Sequence, residues 1–162
     1  MFSVIKNFFR SATQTKTVAY IDGDQDVPAA IDAYSKYIKG TTKEVYFVRA
    51  GSGNDPKSLR RSPHYNELTK IRLKGFASKK EITDKYITAL IQKAVTEGYG
   101  HITVVSSDYD FIDIFKMAMI LNPQASNVTF RMIVPTKAVG KVATCETQQG
   151  NIEVIRTKDV QA

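Results

Sequence analysis

A run of six residues, HITVVS at positions 101–106, limits the choice of fold more than any other segment. It is almost entirely apolar and lacks the alternation of apolar and polar residues that marks a strand with one face in water. A strand with such a run is typically covered on both faces, as in parallel sheets with helices above and below. The run therefore predicts a central, largely parallel sheet between two layers of helices.

Segments with strand and helix patterns alternate along the rest of the chain. Predicted strands cover 16–21, 44–50, 71–77, 101–106 and 128–134, and predicted helices cover 27–39, 65–70, 78–97 and 111–121. We further predict a loop over 51–63, a short helix over 136–142 and an edge strand over 152–157. This alternation is typical of an α/β fold, here a three-layer α/β/α sandwich with a mostly parallel central sheet. The length of 162 residues fits one domain, 16–162, preceded by a basic and aromatic tail, 1–15.

The positive charge of the chain is concentrated in one segment. The formal net charge is +7, and residues 56–85 contain nine lysines or arginines against three acids. Charge spread evenly over a surface serves mainly solubility, whereas a concentration of cations favours a surface that binds an anionic partner. The segment 56–85 is therefore the predicted binding surface.

Three features bear on the compartment. Cys145 is the only cysteine, so the chain cannot form an internal disulfide and nothing indicates an oxidising compartment. No apolar run reaches the length of a membrane-spanning helix. The apolar residues of the tail are too interrupted for a secretory signal. We expect the tail to dock on its own domain as a short amphipathic helix, with a partner or a membrane surface as alternatives, and we predict a cytoplasmic protein without a membrane span.

Pairs of aspartates follow two of the predicted strands. Asp22 and Asp24 follow the first strand, Asp108 and Asp110 follow the fourth, and Asp84 lies in the helix that begins at 78. If the first and fourth strands are neighbours, their carboxyl ends bring these acids to one edge of the sheet. Clustered carboxylates without His or Cys select a hard cation, so the pattern predicts an Mg²⁺ or Mn²⁺ site. The alternative for each aspartate is helix capping, which explains one acid of each pair and leaves the second without a reason.

Three motifs, VAYIDGDQ, KKEITDKYI and ITVVSSDYDF, resemble in their order and spacing the NYN branch of the PIN-like ribonucleases. The resemblance covers residues 17–134, and the third motif is its most specific part. It implies a PIN-like fold. The catalytic and metal-binding acids that it implies are Asp22, Asp84, Asp108 and Asp110, and the supporting positions are Asp24, Gln25, Ser106 and Ser107.

The chain departs from the family pattern at two positions. Gln25 stands where the family usually has Asn, which keeps an amide but lengthens its reach. Leu90 stands where many members have a second helix aspartate, and its place in the apolar stripe of that helix predicts a core residue. The resemblance therefore implies a site with fewer carboxylates than its fullest version.

The function that the resemblance implies is hydrolysis of RNA phosphodiester bonds by a ribonuclease with a carboxylate-bound Mg²⁺ or Mn²⁺. The cations that would bind single-stranded or structured RNA are Arg60, Arg61, Arg72, Lys74, Lys79 and Lys80. Tyr65 and Phe76 would either stack on bases or pack within the domain.

Two other functions stay open at the level of the sequence. One is a non-catalytic RNA-binding or adaptor protein, which Leu90 favours because it removes a candidate ligand. The other is a phosphatase of the haloacid-dehalogenase type, which IDGDQDV also resembles, with Asp22 as the nucleophile and Asp24 as the general acid. The residues leave the oligomeric state open, a homodimer included.

Overall fold

The computed structural model describes residues 15–51, 53–75, 79–135, 141–148 and 152–161, and its central feature is a seven-stranded sheet. The strands are β1 (Thr17–Asp22), β2 (Glu44–Ala50), β3 (Thr69–Leu73), β4 (His101–Val105), β5 (Thr129–Val134), β6 (Lys141–Gln148) and β7 (Ile152–Gln161). They lie in the order β3-β2-β1-β4-β5-β7-β6. Every neighbouring pair is parallel except β6 and β7, so β6 is an antiparallel strand at the edge of a six-stranded parallel sheet.

Helices are formed by the connections between the strands. The helix α1 (Val27–Ala33) continues into a π-helical turn (Tyr34–Ile38), and α2 (Lys57–Arg60) is a single turn. The longer helices are α3 (Lys79–Thr96) and α4 (Asp110–Leu121), and 3₁₀ turns occupy Tyr65–Glu67 and Pro123–Asn127. The predicted three-layer α/β/α sandwich with a mostly parallel sheet is therefore confirmed.

The two faces of the sheet bury separate apolar cores. On one face, Ile87 and Ile91 of α3 and Phe111 and Phe115 of α4 pack in a single core with residues of β1, β4 and β5. On the other face, α1 packs on β1 and β2, with small residues such as Ala30 at the contact. Each large apolar side chain contributes about 1.5–3 kcal/mol when it is fully buried, so these contacts hold the layers together.

The segment between β2 and α3 differs from the sequence prediction at its boundaries. The strand predicted over 71–77 is β3, which begins at Thr69 and ends at Leu73. Gly75 adopts a positive φ of 85°, a turn conformation that glycine tolerates, and it follows the end of the strand closely. The helix predicted over 65–70 is only a 3₁₀ turn, because Thr69 and Lys70 already pair with β2. The predicted loop over 51–63 contains the helical turn α2.

The C-terminal part differs from the prediction in two ways. Lys141 and Val142 belong to β6 and not to a helix, while residues 136–140 of the predicted helix lie outside the described residues. The segment 152–157 belongs to β7, which lies between β5 and β6 and so is not an edge strand. The prediction of an edge strand is wrong because β6 pairs with β7 and takes the edge itself.

The strand order creates a topological switch point. The chain runs outward from β1 to β2 and β3, and α3 then carries it back to β4 on the other side of β1. Open parallel sheets bind ligands at the carboxyl ends of the two strands that flank such a point. The first and fourth strands are adjacent and parallel, so the condition on which the predicted site depended is confirmed.

Three further predictions meet the limits of the described residues. None of the described helices has the length and apolar character needed to cross a membrane. Of the predicted tail, 1–15, the described part of the chain includes only Thr15. Phe76 and the side chains of Lys79 and Lys80 also lie outside the described residues.

Candidate functional site

Asp22, the last residue of β1, lies at the carboxyl edge of the sheet with only 2 % of its surface exposed. Its Oδ1 accepts a hydrogen bond from the Asp24 N–H at 3.1 Å, and the Ser106 hydroxyl donates to its Oδ2 at 3.3 Å. Burying a carboxylate is costly unless hydrogen bonds satisfy its oxygens, so these contacts stabilise its position. They place one acid between β1 and β4, at the switch point.

Gly23 explains why the turn after β1 has the sequence Asp-Gly. Its N–H donates to the Val48 carbonyl of β2 at 2.7 Å. A Cβ at this position would lie 2.4 Å from the ring of Phe47, far inside van der Waals contact. Only glycine therefore lets the backbone approach β2 this closely, which holds the Asp22 turn against the sheet.

Asp24 has a structural role. The Ala50 N–H at the end of β2 donates to Asp24 Oδ1 at 3.1 Å, and the hydroxyl of the buried Thr83 on α3 donates to Asp24 Oδ2. The carboxylate thus joins the turn after β1 to β2 and to α3. Its oxygens are occupied by protein donors, so Asp24 supports the site instead of acting as a ligand.

Gln25 connects the turn after β1 to the turn after β4. Its Oε1 accepts hydrogen bonds from the Ser107 N–H at 2.8 Å and the Ser107 hydroxyl at 2.7 Å. Its Nε2 donates to the Ser106 hydroxyl oxygen at 3.3 Å. The longer amide that distinguishes this chain from the family pattern therefore bridges the switch point and holds its two turns together.

Asp108 and Asp110 lie at the start of α4. The Asp108 N–H donates to the Ser106 hydroxyl oxygen at 3.1 Å, and Asp108 Oδ1 accepts from the Asp110 N–H at 3.0 Å. Asp108 thus satisfies a backbone N–H at the open end of the helix, as the capping alternative predicts. Asp110 is the exposed first residue of α4, and the wholly buried Phe111 anchors that turn. Capping explains one acid of this pair and does not account for the other.

Asp84 and Leu90 lie on α3. Asp84 is half-buried and follows Thr83, the residue that contacts Asp24, so it belongs to the part of α3 beside the carboxyl edge. Leu90 packs against the core that α3 and α4 share, and its carbonyl accepts a hydrogen bond from the Tyr20 hydroxyl at 3.3 Å. The prediction that Leu90 is a core residue is confirmed.

The fit of a divalent cation depends on how many carboxylates meet. Among the described residues, no three or more His, Cys, Asp or Glu side chains are grouped so that they could hold a metal ion. The Ser106 hydroxyl links the Asp22 carboxylate to the backbone N–H of Asp108. Mg²⁺ is commonly bound by one or two carboxylates and completes its shell with water and substrate phosphates. The donors therefore fit an ion shared with a phosphate ligand, and the four-carboxylate cluster stays a prediction.

Two of the predicted RNA-binding arginines take part in an internal network around Asp55, which is 6 % exposed. Arg49 and Arg72, register partners on β2 and β3, donate to Asp55 Oδ1 at 3.2 and 3.0 Å. Arg60 donates to the Asp55 carbonyl at 2.9 Å, and the Tyr65 hydroxyl donates to Asp55 Oδ2 at 2.5 Å. Part of the basic segment therefore stabilises the connection between β2 and β3.

The Asp55 carboxyl has a lowered pKa. Burial alone would raise the pKa, but hydrogen bonds from Tyr65, Arg72 and Arg49 outweigh burial and hold the pKa below its ordinary value. Tyr65 contacts its own domain, which is one of the two roles predicted for it. Lys70 Nζ also lies 3.9 Å from the centre of its ring. Base stacking is therefore not the role that its contacts indicate.

Arg61 and Lys74 are exposed cations of the basic segment. Lys74 directly follows the carboxyl end of β3, and Arg61 ends α2 in the connection between β2 and β3. Neither has a salt bridge to another described residue. They are the predicted RNA-binding residues whose described surroundings leave them available to a ligand.

Arg156 is a residue at this edge that the sequence reasoning missed. It extends from β7, and its Nε donates to the Tyr109 hydroxyl at 3.1 Å, with the guanidinium 5.7 Å from the centre of the ring. Tyr109 stands between Asp108 and Asp110 and is 42 % exposed. The signal was hidden because only the pairing of β7 with β5 brings Arg156 near α4.

No protein-family model matches the chain, and no curated protein matches its sequence. The resemblance to the NYN branch accordingly rests on the three motifs alone and stays a prediction. The structure adds that residues of the first and third motifs, far apart in the chain, are joined by hydrogen bonds through Gln25 and Ser106.

Proposed function

We propose that the chain is a metal-dependent ribonuclease that hydrolyses RNA phosphodiester bonds at the carboxyl edge between β1 and β4. The observation that carries the proposal is the Ser106 hydroxyl, which donates to the Asp22 carboxylate at 3.3 Å and accepts a hydrogen bond from the Asp108 backbone N–H at 3.1 Å. It joins a buried acid at the end of β1 to a partly exposed acid after β4, where open parallel sheets take their ligands.

Asp22 and Asp108 would hold an Mg²⁺ or Mn²⁺ ion together with a phosphate oxygen of the RNA, and Asp110 and Asp84 would contribute through water. When bound, such an ion stabilises negative charge on a phosphoryl oxygen and lowers the pKa of a coordinated water. The contribution of the protein's own residues is to hold the acids in position. Ser106 and Gln25 hold the two acidic turns in a fixed relation, and Asp24 ties them to the sheet.

RNA is the substrate class that the surrounding charge favours. Lys74 is exposed beside the acidic edge, and Arg156 lies on its other side, against Tyr109. An acidic site flanked by cations suits a polyanion that must be guided to carboxylates, since the cations offset the repulsion between the acids and the phosphates. Tyr109 is exposed enough to stack on a base.

The test is cleavage of a labelled single-stranded RNA with Mn²⁺, comparing wild type with Asp22→Asn and Asp108→Asn. We expect each variant to lose about 100-fold or more of the cleavage rate, because each removes one of two ligand charges. Asp32→Asn is the matched control, since Asp32 lies on the exposed side of α1 and pairs only with Lys36 at 3.1 Å. Undiminished cleavage by both site variants would contradict the proposal.

A second measurement does not depend on turnover. Because no three His, Cys, Asp or Glu side chains of the described residues form a group that could hold a metal ion, Mn²⁺ should bind weakly to the protein alone and more tightly when RNA is present. Electron paramagnetic resonance of free Mn²⁺ measures both affinities. Equal affinity with and without RNA would argue against an ion that the protein and a phosphate share.

A non-catalytic RNA-binding protein is the second candidate. It is favoured by the absence of a three-ligand group among the described residues and by Leu90 in the core, where a further carboxylate would otherwise stand. RNA binding without cleavage under Mg²⁺ or Mn²⁺ would support it. The phosphatase alternative is weaker, because the Asp24 carboxylate that would be its general acid accepts hydrogen bonds from Ala50 and Thr83.

A further inference from the structure

A cavity lies at the opposite edge of the sheet from the aspartates. It has a volume of about 470 Å³ and is formed where β1, β4 and β5 begin, beside the turn that follows the π-helical turn of α1. The five residues of β4 separate the two edges by about 13 Å, at roughly 3.3 Å per residue. The cavity is therefore distinct from the site at the switch point.

The floor of the cavity consists of side chains from neighbouring strands in register. His101 of β4 faces Thr129 of β5, and Thr103 faces Arg131 one step further along. Residues two apart on a strand share a face. Thr103 and Arg131 therefore lie on the same face as Val105 and Ile133, which belong to the core beneath α1. Polar residues replace apolar ones on this face of the sheet at the end that α1 does not cover.

Hydroxyl groups and cations dominate the wall. Thr103 is 4 % exposed and lines the cavity with Thr17 and Thr129. Thr17 Oγ1 accepts a hydrogen bond from the Lys43 N–H at 2.8 Å, which fixes the turn that carries the Lys43 side chain. Arg131 and Lys43 supply two positive charges, and no acid is among the described residues that line the cavity.

Glu153 of β7 is the register partner of Arg131. Its Oε1 lies 3.7 Å from Arg131 Nε, and both side chains are 31 % exposed. At this distance the pair orients the guanidinium without forming a short hydrogen bond. The remaining N–H groups of the guanidinium keep the planar fork geometry that matches a phosphate.

We propose that this cavity binds a phosphate-bearing small molecule of about nucleotide size. Arg131 and Lys43 would contact the phosphate, and the hydroxyls of Thr103 and Thr129 would donate to its oxygens or to the attached group. The size is consistent, because ligand cavities are typically about 300–1,000 Å³ and a lone phosphate would leave most of this one empty. The proposal concerns binding alone and does not depend on RNA cleavage at the other edge.

The test is titration of the ¹⁵N-labelled protein with AMP, inorganic phosphate and adenosine, followed by amide chemical shifts. AMP should shift the amides of Thr103, Thr129 and Arg131, phosphate should do so more weakly, and adenosine should not. Arg131→Gln should weaken AMP binding about tenfold or more, because it removes a charge-assisted contact. Thr103→Val, which keeps the shape of the side chain, should weaken it less. Lys36→Gln, an exposed change on the π-helical turn, is the control and should leave the affinity unchanged.

Three results would overturn the proposal. One is the absence of shifts at these amides with millimolar AMP. Another is an AMP affinity that Arg131→Gln leaves unchanged while its spectrum stays that of a folded protein. The third is a perturbation of the cavity by oligonucleotide RNA but not by AMP, which would assign the cations to a nucleic-acid surface.

Discussion

Two carboxylates among the residues that the structure describes are almost wholly buried, and their surroundings differ. Asp55 is 6 % exposed and accepts hydrogen bonds from two arginines and a tyrosine. Asp22 is 2 % exposed, and hydrogen bonds to its oxygens come from a backbone amide and the hydroxyl of Ser106. A carboxylate held by guanidinium groups is largely neutralised and serves the fold. Asp22 lies instead at the switch point between β1 and β4, where open parallel sheets take their ligands.

The comparison also divides the basic segment. Its concentration of cations suggested one binding surface, but Arg60 and Arg72 contact Asp55, while Arg61 and Lys74 are exposed. The cations of the basic segment therefore have two different roles. Some neutralise a buried acid, and others remain on the surface. The four predictions below separate them, beginning with the largest expected effect.

Cleavage should separate the two carboxylates most strongly. Asp22→Asn should reduce Mn²⁺-dependent cleavage by about 100-fold or more but lower the free energy of unfolding by only about 1 kcal/mol, since an amide keeps one acceptor. Urea unfolding and a cleavage assay on the same preparation measure both. A variant that loses several kcal/mol of stability would place Asp22 with Asp55 as a structural acid.

The free energy of unfolding should distinguish the two carboxylates in the opposite way, because Asp55 should matter more for stability than Asp22. Asp55→Asn leaves Arg49, which is 8 % exposed, without its carboxylate, and breaking a buried ion pair in this way costs about 3 kcal/mol. Urea unfolding measures the loss, and Asp32→Asn, which breaks an exposed pair with Lys36, should cost less than about 1 kcal/mol. Equal losses for the two variants would contradict the structural role of Asp55.

The pH dependence of the unfolding free energy tests whether the charge on Asp55 stabilises the network. The lowered pKa of Asp55 means that its contribution is fully present above the unfolded pKa, about 3.9, and is lost as the pH falls through the folded value. The difference in unfolding free energy between wild type and Asp55→Asn should therefore shrink below about pH 4. A difference that grows on acidification would show that the charge on Asp55 is not what stabilises the network.

Gln25→Ala tests whether the site depends on the connection between its two turns. The change removes three hydrogen bonds to Ser106 and Ser107, so we expect cleavage to fall about tenfold because the two acidic turns are no longer held together. Gln25→Asn shortens the reach of the amide and should give a smaller loss. Steady-state kinetics measures both, and unchanged rates in Gln25→Ala would show that the turns keep their arrangement without the amide.

The smallest effect concerns the exposed cations. Arg61→Gln and Lys74→Gln should each lower the slope of log affinity for single-stranded RNA against log salt by about 0.7, since each removes one phosphate contact. Fluorescence anisotropy over a range of salt concentrations measures the slope. Lys36→Gln, on the face that carries α1, should leave it unchanged. Unaltered slopes in Arg61→Gln and Lys74→Gln would remove these residues from the RNA surface.

The sequence predicted those features of the fold that depend on neighbouring residues and missed those that depend on distant ones. The run at 101–106 predicted a buried strand, and β4 is buried except at His101, because burial on both faces leaves a continuous apolar pattern. The helix α3 and the core position of Leu90 were predicted from apolar spacing in the same way. By contrast, β7 was predicted as an edge strand, since nothing within 152–157 indicates that β6 pairs outside it.

The candidate site followed the same division. Asp22 was predicted from its place after a strand and Ser106 from the resemblance to the NYN branch, and adjacency of β1 and β4 joined them. The role of Asp24 could not be predicted, because its partners Ala50 and Thr83 are 26 and 59 residues away along the chain. Arg156 and the Asp55 network were missed for the same reason.

The amino-acid sequence by itself determined the α/β class, the parallel sheet and the acids that follow its strands, because periodicity and strand-end chemistry are properties of neighbouring residues. Only the tertiary structure decided which acids are neutralised and which lie at the switch point. It also decided which cations stay exposed, and that a polar cavity opens beyond α1. Such outcomes depend on strand order and on contacts between distant residues, and the free energy of a buried charge depends on those contacts far more than on its neighbours in sequence.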